Sequence, residues 1–465
     1  MEGLALWLAS RGLEVTASTG PAEQDGRAAA RLREAGVSVS VGFDAGHVRE
    51  DCSCVVWSGA ATGPHPELDR ARAVGLPVLI RALALSVLAG EYGGPVAAVY
   101  GSHGTATAAA ALAAVLDDGR TSWILNAAPV GATAGQGRLG RRLVVDLSPD
   151  AATHEAARGH LPNAPQPLRR PSPTVTLITT AAANVPHFED PIEALNAATT
   201  LARASATVVL PLWDKGATIV HERLTDRPGP RVVTVGTDPH CTVWIMSLSW
   251  TGWDFRVALR YDGMDCGFVV PVQGRHHALA VCAALATALV LGEERQELID
   301  RATEFRGVRR SLTTLGTQRG VTVVDSRARH PREIAQDVTA ARLLTEGSVV
   351  VALEPDGIAR TSAHSNELGA ALADADHVLL LPVSTPLATH DGPDPLDAVE
   401  RAAVRALGPG AVHRTGSGPC EPGPEQRLAE IATEGDLVLV VGTGAAVQRL
   451  GPRLLDHLAQ ATGRP

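Results

Sequence analysis

Short apolar runs alternate with amphipathic stretches along most of the chain, as strands and helices do in α/β proteins. In the first part of the chain this pattern predicts, in order, helix Leu4–Leu13, strand Glu14–Ala17, helix Arg27–Ala35, strands Ser38–Val41 and Cys54–Ser58, helix Pro66–Val74 and strand Pro77–Ile80. Helices that alternate with short apolar strands imply a parallel sheet. A linker is predicted at Glu91–Pro95.

The alternation continues after the linker. It predicts strand Val96–Tyr100, helix Thr107–Leu116, strands Leu143–Asp146 and Thr174–Ile178, antiparallel strands within Val232–Val270, and a long apolar helix His276–Leu291. The proline-rich stretch Pro162–Pro173 predicts a surface loop.

A third segment begins near Phe305. Its predicted strands are Val321–Asp325, Ser348–Leu353, His377–Leu381 and Leu437–Val441, with helical stretches between them. Three α/β segments predict three domains, at residues 1–92, 93–303 and 304–465.

Composition and charge restrict the class of protein. The chain has 465 residues, of which 45% are hydrophobic and 20% charged, so it can form a large core. Its net charge of −9 argues against a general nucleic-acid or anionic-membrane binder. We see no apolar stretch long enough for a transmembrane helix, and the six cysteines form no C-x-x-C pair. These features predict a reduced, cytoplasmic protein.

A glycine loop follows the predicted strand Val96–Tyr100 and opens a predicted helix. It consists of Gly101, Ser102, His103, Gly104, Thr105, Ala106 and Thr107. A phosphate can bind where a strand leads through a glycine turn into the N-terminus of a helix. An ordinary strand–turn–helix connection has the same sequence pattern. A working P-loop also requires a lysine and a magnesium-binding hydroxyl. Lys215 is the only lysine in the chain. We interpret it as a solvated loop residue, and the alternative is a lysine that reaches a nucleotide.

Several motifs occur in the order and spacing of one known family. They are the glycine loop (against G-T-H-G-K-T-T), Gly274–His277 (G-R/K-H-N), Phe305–Arg310 (F-x-G-V-x-R-R), Asp325–Ile334 (D-D-Y-A-H-H-P-T-E-I), Leu353–Thr361 (F-Q-P-H-R-Y-T-R-T), Gly435–Gly442 (G-D-x-V-L-x-x-G), and Ser58-Gly59-Ala60 with His65-Pro66-Glu67 and Arg81 (S-S-A-I…N-P-E). The chain resembles the Mur ligases, nearest their UDP-N-acetylmuramate–L-alanine ligase branch, over nearly its whole length.

The resemblance implies a three-domain α/β architecture: a Rossmann-like N-terminal domain, a P-loop-like central domain and a Rossmann-like C-terminal domain. It also implies ATP and Mg²⁺, with phosphorylation of a substrate carboxylate followed by attack of an amine. The chain begins Met1-Glu2-Gly3-Leu4, which matches only the end of the family's G-I-G-G-x-G-M-S-G loop. We therefore expect either a first sheet without its first strand or a start that lies upstream.

The departures from the family pattern fall on the expected chemistry. Thr105 stands at the lysine position, Ala106 at the magnesium-binding threonine and Val185 at a histidine, within a T-N-I-x-x-D-H segment that falls on Thr179–Val185. The acidic strand E-A-D-E-S-D falls on Val145–Asp150, where Asp146 or Asp150 is a candidate for weak metal affinity. His277 replaces an asparagine, and Asp356 and Arg329 each replace a histidine. These changes predict a degenerate ATP site, and we predict no cofactor.

The remaining candidates for the site come from the same motifs. His330 and Arg309 are the catalytic candidates, and His277, Asp325, Glu333 and Arg360 are candidates for a cleft. Arg309, Arg310 and Arg360 are candidate phosphate contacts, with surface ion pairing as the alternative. For His330 and Glu333 an alternative stays open, because Pro331 can begin a helix that His330 caps and Glu333 stabilises. His276 and His277 suggest a metal pair, but adjacent helical side chains diverge by about 100°, so we predict no metal there.

Three hypotheses for the function follow. The first is a degenerate Mur ligase that binds a UDP-muramyl-type or other small carboxylate ligand, or regulates a partner ligase, without ATP-dependent catalysis. The second is an active acid–amino-acid ligase with a rewired site, in cell-wall or secondary-metabolite biosynthesis. The third is a protein–protein scaffold, which predicts co-purification with a ligase and no small-molecule binding.

Overall fold

The computed structural model of the chain describes residues 1–20, 27–58, 65–138, 140–147, 173–181, 191–225, 228–383, 393–415 and 422–460. These residues form two compact units. Unit 1 comprises Met1–Val272 and His277–Val308, and unit 2 comprises Gln273–His276 and the chain from Arg309 onward. Most of the predicted Pro162–Pro173 loop lies outside the described residues, as do Gly59, Ala60, Ser148–Asp150 and Ala182–Val185.

Unit 1 begins with a small α/β region. Its elements are α1 Glu2–Ser10, β1 Thr16–Thr19, α2 Arg27–Glu34, β2 Ser38–Val41, a 3₁₀ turn Ala45–His47, β3 Val55–Trp57, α3 Pro66–Ala73, β4 Val78–Ile80 and α4 Arg81–Glu91. β1 pairs with β2 and β3 with β4, both in parallel, as two separate two-stranded sheets. The pattern predicted these strands to within a few residues, but it did not predict α4.

A ten-stranded sheet forms the rest of unit 1, in the order β14-β13-β12-β11-β10-β9-β5-β8-β6-β7. Its strands are β5 Val96–Gly101, β6 Thr121–Ile124, β7 Gly135–Gln136, β8 Arg142–Asp146, β9 Val175–Thr180, β10 Thr207–Pro211, β11 Arg231–Gly236, β12 Val243–Trp250, β13 Phe255–Tyr261 and β14 Met264–Val270. The helices are α5 Thr105–Val115, α6 Pro191–Ala204, α7 Lys215–Thr225, α8 Arg275–Val290 and α9 Arg295–Glu304.

The two faces of this sheet carry separate apolar clusters. The alanine-rich helices α5 and α8 pack with α9 on one face. Apolar residues of α1, α4, α6 and α7 pack on the other. β5, β8 and β9 are buried along their whole length, as strands covered on both faces of a parallel sheet must be. The glycine loop therefore begins at the end of a central, rigid strand.

One predicted feature of this sheet is wrong. We expected antiparallel strands throughout Val232–Val270, and β12, β13 and β14 do form an antiparallel meander. β11, however, pairs with β12 in parallel through Val235 and Val243. Alternation of apolar and polar residues reports the two faces of a strand, and it carries no information about the strand's direction.

Unit 2 is built around a six-stranded sheet in the order β15-β16-β20-β17-β18-β19. Its strands are β15 Thr313–Gln318, β16 Val321–Ser326, β17 Val349–Leu353, β18 His377–Leu380, β19 Val412–Arg414 and β20 Leu437–Val441, and its helices are α10 Pro331–Arg342, α11 Ile358–Ala363, α12 Ser365–Ala370, α13 Pro395–Leu407, α14 Pro424–Ile431 and α15 Ala445–Gln460. Only β15 is antiparallel to its neighbour. One apolar cluster includes residues of α10, α12 and α13, and a second includes residues of α14 and α15.

The predicted α/β class and the parallel sheets are confirmed. The domain boundaries after residues 92 and 303 stay a prediction. Within the described ranges, no helix has the length and hydropathy needed to cross a bilayer. In each unit the carboxyl ends of central parallel strands meet at one edge of the sheet, which is where ligands bind in open α/β folds.

Candidate functional site

The glycine loop of unit 1 connects β5 to α5 through close backbone contacts. Gly104 adopts a left-handed conformation with φ +73°, immediately before α5 begins at Thr105. A Cβ atom on Gly101 would lie 2.2 Å from Thr179 Oγ1 and 2.9 Å from the backbone nitrogen of Thr180. Glycine is therefore required at position 101, because the end of β9 leaves no room for a side chain.

Hydroxyl groups at the end of β9 fasten this loop. Thr180 Oγ1 accepts a hydrogen bond of 3.1 Å from the His103 N–H and lies 3.0 Å from Ser102 Oγ. Thr179 Oγ1 donates to the His103 carbonyl at 2.9 Å. The His103 N–H therefore already has an acceptor within the protein. The sequence analysis named Thr179 and Thr180 only as the start of a family segment and did not predict this contact with the loop.

The loop offers no fixed cation. Thr105 and Thr107 are buried at the start of α5, and Ala106 lies between them. Among Gly101–Thr107 only His103 carries an ionisable side chain, and it too is buried. A helix N-terminus supplies partial positive charge, but a lysine ammonium adds a full charge against a phosphate. The segment Gly101–Thr107 therefore joins a buried strand to a helix and contains no lysine or arginine.

Asp146, Arg81 and Lys215 lie near the carboxyl ends of strands on both sides of β5. Asp146 ends β8 and is fully buried, and Arg81 donates to its carbonyl oxygen at 3.2 Å. Asp214 Oδ1 accepts from the backbone N–H groups of Ala181 at 3.2 Å and Ala217 at 2.9 Å. This carboxylate caps α7, whose first residue is Lys215. Lys215 is exposed, as expected, although it begins a helix and does not lie in a loop.

In unit 2 an arginine–aspartate pair supports the strand ends. The Arg310 guanidinium donates to both oxygens of Asp325, at 2.8 and 3.0 Å, and to the Gly442 carbonyl at 2.8 Å. Arg310 itself has a positive φ of 60°. Its donors are engaged within the protein, so the structure gives it a supporting role. Arg309, the neighbouring candidate, is half-buried at the start of unit 2.

A charged cluster lies beyond the ends of β16, β17 and β20. Asp356 Oδ2 accepts from Arg360 Nη1 at 3.1 Å and lies 3.9 Å from Arg329 Nη1. Asp356 Oδ1 accepts from Thr443 Oγ1 at 3.1 Å. Burial and the nearby Arg329 guanidinium lower the pKa of Arg360, and Asp356 partly opposes this. Asp356 therefore contacts both Arg360 and Arg329.

His330 and Glu333 form a capping box at the start of α10. His330 Nδ1 accepts from the Arg332 N–H at 3.3 Å, and Glu333 Oε2 accepts from the His330 N–H at 3.5 Å. Pro331 is the first residue of the helix. The capping alternative is therefore confirmed. The His330 ring also lies 5.6 Å from the ring of His364, edge to face, and a role of His330 in a reaction stays a prediction.

A second strand–glycine–helix turn was missed in the sequence. Gly442, Thr443 and Gly444 connect β20 to α15. Glu354 Oε2 accepts from the Val447 N–H at 3.0 Å, so a carboxylate of the protein occupies the start of that helix. The run Gly-Thr-Gly after the apolar strand Leu437–Val441 is the signal that predicts such a turn.

The remaining predictions are placed as follows. His277 is buried within α8, and Asp325 is buried at the end of β16. Val185 and Asp150 lie outside the described residues, and their predicted roles stay predictions.

The two units define a class: an α/β protein with a phosphate-loop-type sheet and a Rossmann-like sheet. The model of the Mur ligase family catalytic domain matches residues 1–92, and that of the Mur ligase glutamate ligase domain matches residues 309–444. Curated relatives include the UDP-N-acetylmuramate–L-alanine ligases of Streptomyces avermitilis (31% identical, covering 99% of this chain and 95% of that protein) and Streptomyces coelicolor (32% identical, 99% and 96%).

Solved structures share the fold. The UDP-N-acetylmuramate–alanine ligase of Thermotoga maritima superposes with a TM-score of 0.76 at 20% identity, covering 99% of this chain and 97% of that one. The murein peptide ligase of Psychrobacter arcticus superposes with a TM-score of 0.70 at 18% identity, covering 98% of this chain and 96% of that one. The chain belongs to the Mur ligase family, among the homologues of UDP-N-acetylmuramate–L-alanine ligase. The architecture predicted from the motifs is confirmed.

Proposed function

We propose that this chain is a Mur ligase homologue that binds a UDP-muramyl-type or other small carboxylate ligand and does not use ATP to form an amide bond. The observation that carries the proposal is the glycine loop, whose Gly101–Thr107 segment has no lysine or arginine. In phosphoryl transfer, catalysis rests almost entirely on positioning and on charge stabilisation. A loop without a fixed cation lacks the larger part of that stabilisation.

ATP and Mg²⁺ do not fit the residues of the loop. Thr105 is buried where the family resemblance requires a lysine, and Ala106 has no oxygen to offer a metal. The His103 N–H is directed at Thr180 Oγ1 and is not available to a phosphate oxygen. We therefore derive no catalytic step through a nucleotide.

The charged cluster of unit 2 supports a carboxylate ligand. Two guanidinium groups, Arg329 and Arg360, lie at the carboxylate of Asp356, and the Glu333 carboxylate also interacts with Arg360. Arginine presents a planar fork of donors that matches a carboxylate. The relatives named above act on UDP-N-acetylmuramate and L-alanine, both of which carry a carboxylate. A ligand of this class suits a regulatory or repurposed Mur ligase homologue.

The test measures nucleotide binding and turnover separately. We expect isothermal titration with Mg·ATP to show no micromolar binding, and we expect no phosphate release when ATP, UDP-N-acetylmuramate and L-alanine are added together. Titration with UDP-N-acetylmuramate alone is expected to release or absorb heat, which shows binding. Arg360→Ala should weaken that binding about tenfold. Arg332→Ala, which changes an exposed arginine, is the control and should leave the binding unchanged. Micromolar ATP binding with alanine-dependent phosphate release would refute the proposal.

One observation favours a second candidate, an active ligase with a rewired site. Lys215 begins α7 just beyond β10, and β10 is separated from β5 by β9 alone. The carboxyl ends of these parallel strands meet at one edge, so the only lysine and the glycine loop share that edge. This candidate predicts ATP-dependent turnover that Lys215→Ala abolishes, whereas our first proposal predicts no turnover in either protein.

A further inference from the structure

Two cysteines flank a bend in the loop that leads from the 3₁₀ turn of unit 1 to β3. Cys52 is half-buried, Cys54 is exposed, and the backbone bends at Ser53 between them. The remaining cysteines that the structure describes belong to other segments and are less accessible than Cys54; they are Cys241, Cys266 and Cys282. Cys54 is therefore the described thiol that a reagent in solution reaches most easily, and a second thiol lies two residues away.

Backbone hydrogen bonds hold the chain on both sides of this bend. The Cys52 N–H donates to the Arg49 carbonyl at 3.3 Å. The Val55 N–H, directly after Cys54, donates to the Pro77 carbonyl at 2.9 Å, where the pairing of β3 with β4 begins. The bend is therefore fixed by a turn on one side and by a strand on the other.

The spacing of the two cysteines suits a disulfide bond. Two residues of a fully extended chain span at most about 7 Å, and the bend at Ser53 shortens that span. A disulfide requires Cα atoms about 4.4–6.8 Å apart. Partial burial and the nearby Cys52 sulfur both raise the pKa of the Cys54 thiol, so the two sulfur atoms are close enough to interact electrostatically.

We propose that Cys52 and Cys54 form a reversible dithiol–disulfide couple, which a small disulfide R–S–S–R oxidises. The exposed Cys54 thiolate attacks one sulfur of the oxidant, which forms a mixed disulfide and releases one R–S⁻. The Cys52 thiolate then attacks the Cys54 sulfur, which forms the Cys52–Cys54 bond and releases the second R–S⁻. Two protein thiols are oxidised, the oxidant is reduced to two thiols, and the protons of the cysteines pass to the two leaving thiolates.

This couple does not depend on the proposed ligand or on the absence of ATP chemistry. A disulfide between residues two apart closes a small ring, and strained or exposed disulfides are the labile ones. The bond therefore suits a reversible modification and not a permanent cross-link. It would close the bend directly before β3, so the segment that leads into that strand is the part of the fold that oxidation would stiffen.

The experiment treats the reduced full-length protein with hydroxyethyl disulfide, blocks the remaining thiols with N-ethylmaleimide and maps the products by peptide mass spectrometry. Trypsin releases both cysteines in one peptide, residues 50–70. We expect this peptide to become two hydrogen atoms lighter and to lose both of its maleimide sites, and we expect dithiothreitol to restore them. The mixed disulfide at Cys54 should not accumulate, because Cys52 resolves it.

Cys52→Ser removes the resolving thiol, so it should trap the mixed disulfide at Cys54, with about tenfold more adduct than in the unaltered protein. The matched control is Cys266→Ser, which removes another half-buried cysteine and should leave the Cys52–Cys54 disulfide unchanged. A lasting adduct at Cys54 in the unaltered protein would overturn the proposal. So would a failure of both the unaltered protein and Cys52→Ser to react.

A second measurement tests the contribution of the fold. The bend holds the two thiols near each other, so the native protein should become oxidised at a disulfide-to-thiol ratio about tenfold lower than the chain unfolded in urea does. Equal ratios would show that the short spacing in the sequence, and not the folded bend, brings the sulfur atoms together, which would contradict the structural argument.

Discussion

The carboxyl edges of the two large sheets carry similar glycine turns, but neutral side chains hold the turn in unit 1 and charged side chains surround the turn in unit 2. In unit 1, β5 leads through Gly101 and Gly104 into α5, and the side chains that fasten the turn are neutral hydroxyls. In unit 2, β20 leads through Gly442 into α15, and the groups around the turn are Arg310, Glu354 and Asp356. The glycines determine the shape of the backbone at such an edge, and a few long side chains determine its charge. The shape and the charge can therefore differ independently between the two units.

The largest effect is expected from adding charge to the glycine loop of unit 1. Thr105→Lys combined with Ala106→Thr should raise Mg·ATP affinity by about 10²-fold, the scale of one preorganised charged contact. Isothermal titration measures this, with Thr105→Met combined with Ala106→Thr as a control that adds length without charge. An equal gain in the control would mean that the added side-chain length, and not the added charge, raises the affinity.

Removing charge from unit 2 should instead cost stability. Arg310→Ala leaves the buried Asp325 carboxylate and the Gly442 carbonyl without their donor, so we expect a loss of about 2–4 kcal/mol in the free energy of unfolding. Urea denaturation, followed by a signal that reports the unfolding of unit 2, measures this loss in the free energy of unfolding. Arg427→Ala, which breaks an exposed pair with Glu430, should change little. Similar losses in both variants would contradict a special role for Arg310.

The hydroxyls of unit 1 should contribute less. Thr180→Val leaves the buried His103 N–H without its acceptor, which should cost about 1–3 kcal/mol. Thr200→Val is the control, since the Thr200 hydroxyl bonds only to a carbonyl on the exposed side of α6. A stability for Thr180→Val equal to that of the control would show that the loop does not depend on β9.

The smallest effect concerns the helix cap of unit 2. His330→Ala should destabilise by about 0.5–1 kcal/mol, whereas His330→Asn should not, because asparagine is a good N-cap residue. Thermal unfolding gives the stability and titration with UDP-N-acetylmuramate gives the affinity. A stable His330→Asn protein that has lost ligand affinity would assign His330 a role beyond capping.

Much of the fold is predictable from the sequence because it is periodic. β2 and β20 begin and end where the apolar runs Ser38–Val41 and Leu437–Val441 do. α4 was missed because Pro77–Ile80 leads straight into Arg81 with no helix-capping residue. The parallel pairing of β11 and β12 was missed because strand direction leaves no trace in an alternating pattern.

The site is less predictable because it depends on contacts between distant residues. The glycine loop was found from its local motif, and the sequence also shows that Gly101–Thr107 contains no lysine. The partners of the loop are not, since Thr179 and Thr180 meet it only through the pairing of β5 with β9. Arg329 and Asp356 likewise come from the ends of two strands that are not neighbours in the sheet.

The scarcity of lysine has a practical consequence for the study of this protein. Lys215 is exposed at the start of α7, and it carries the only side-chain primary amine of the chain. An amine-reactive dye would therefore label one defined side chain, next to the edge of the sheet that the glycine loop occupies. The reaction pH has to be chosen so that the N-terminal amine does not react or can be told apart from Lys215. A protease specific for lysine would likewise cleave the polypeptide at this single position, so the rate of cleavage would report the opening of that helix start.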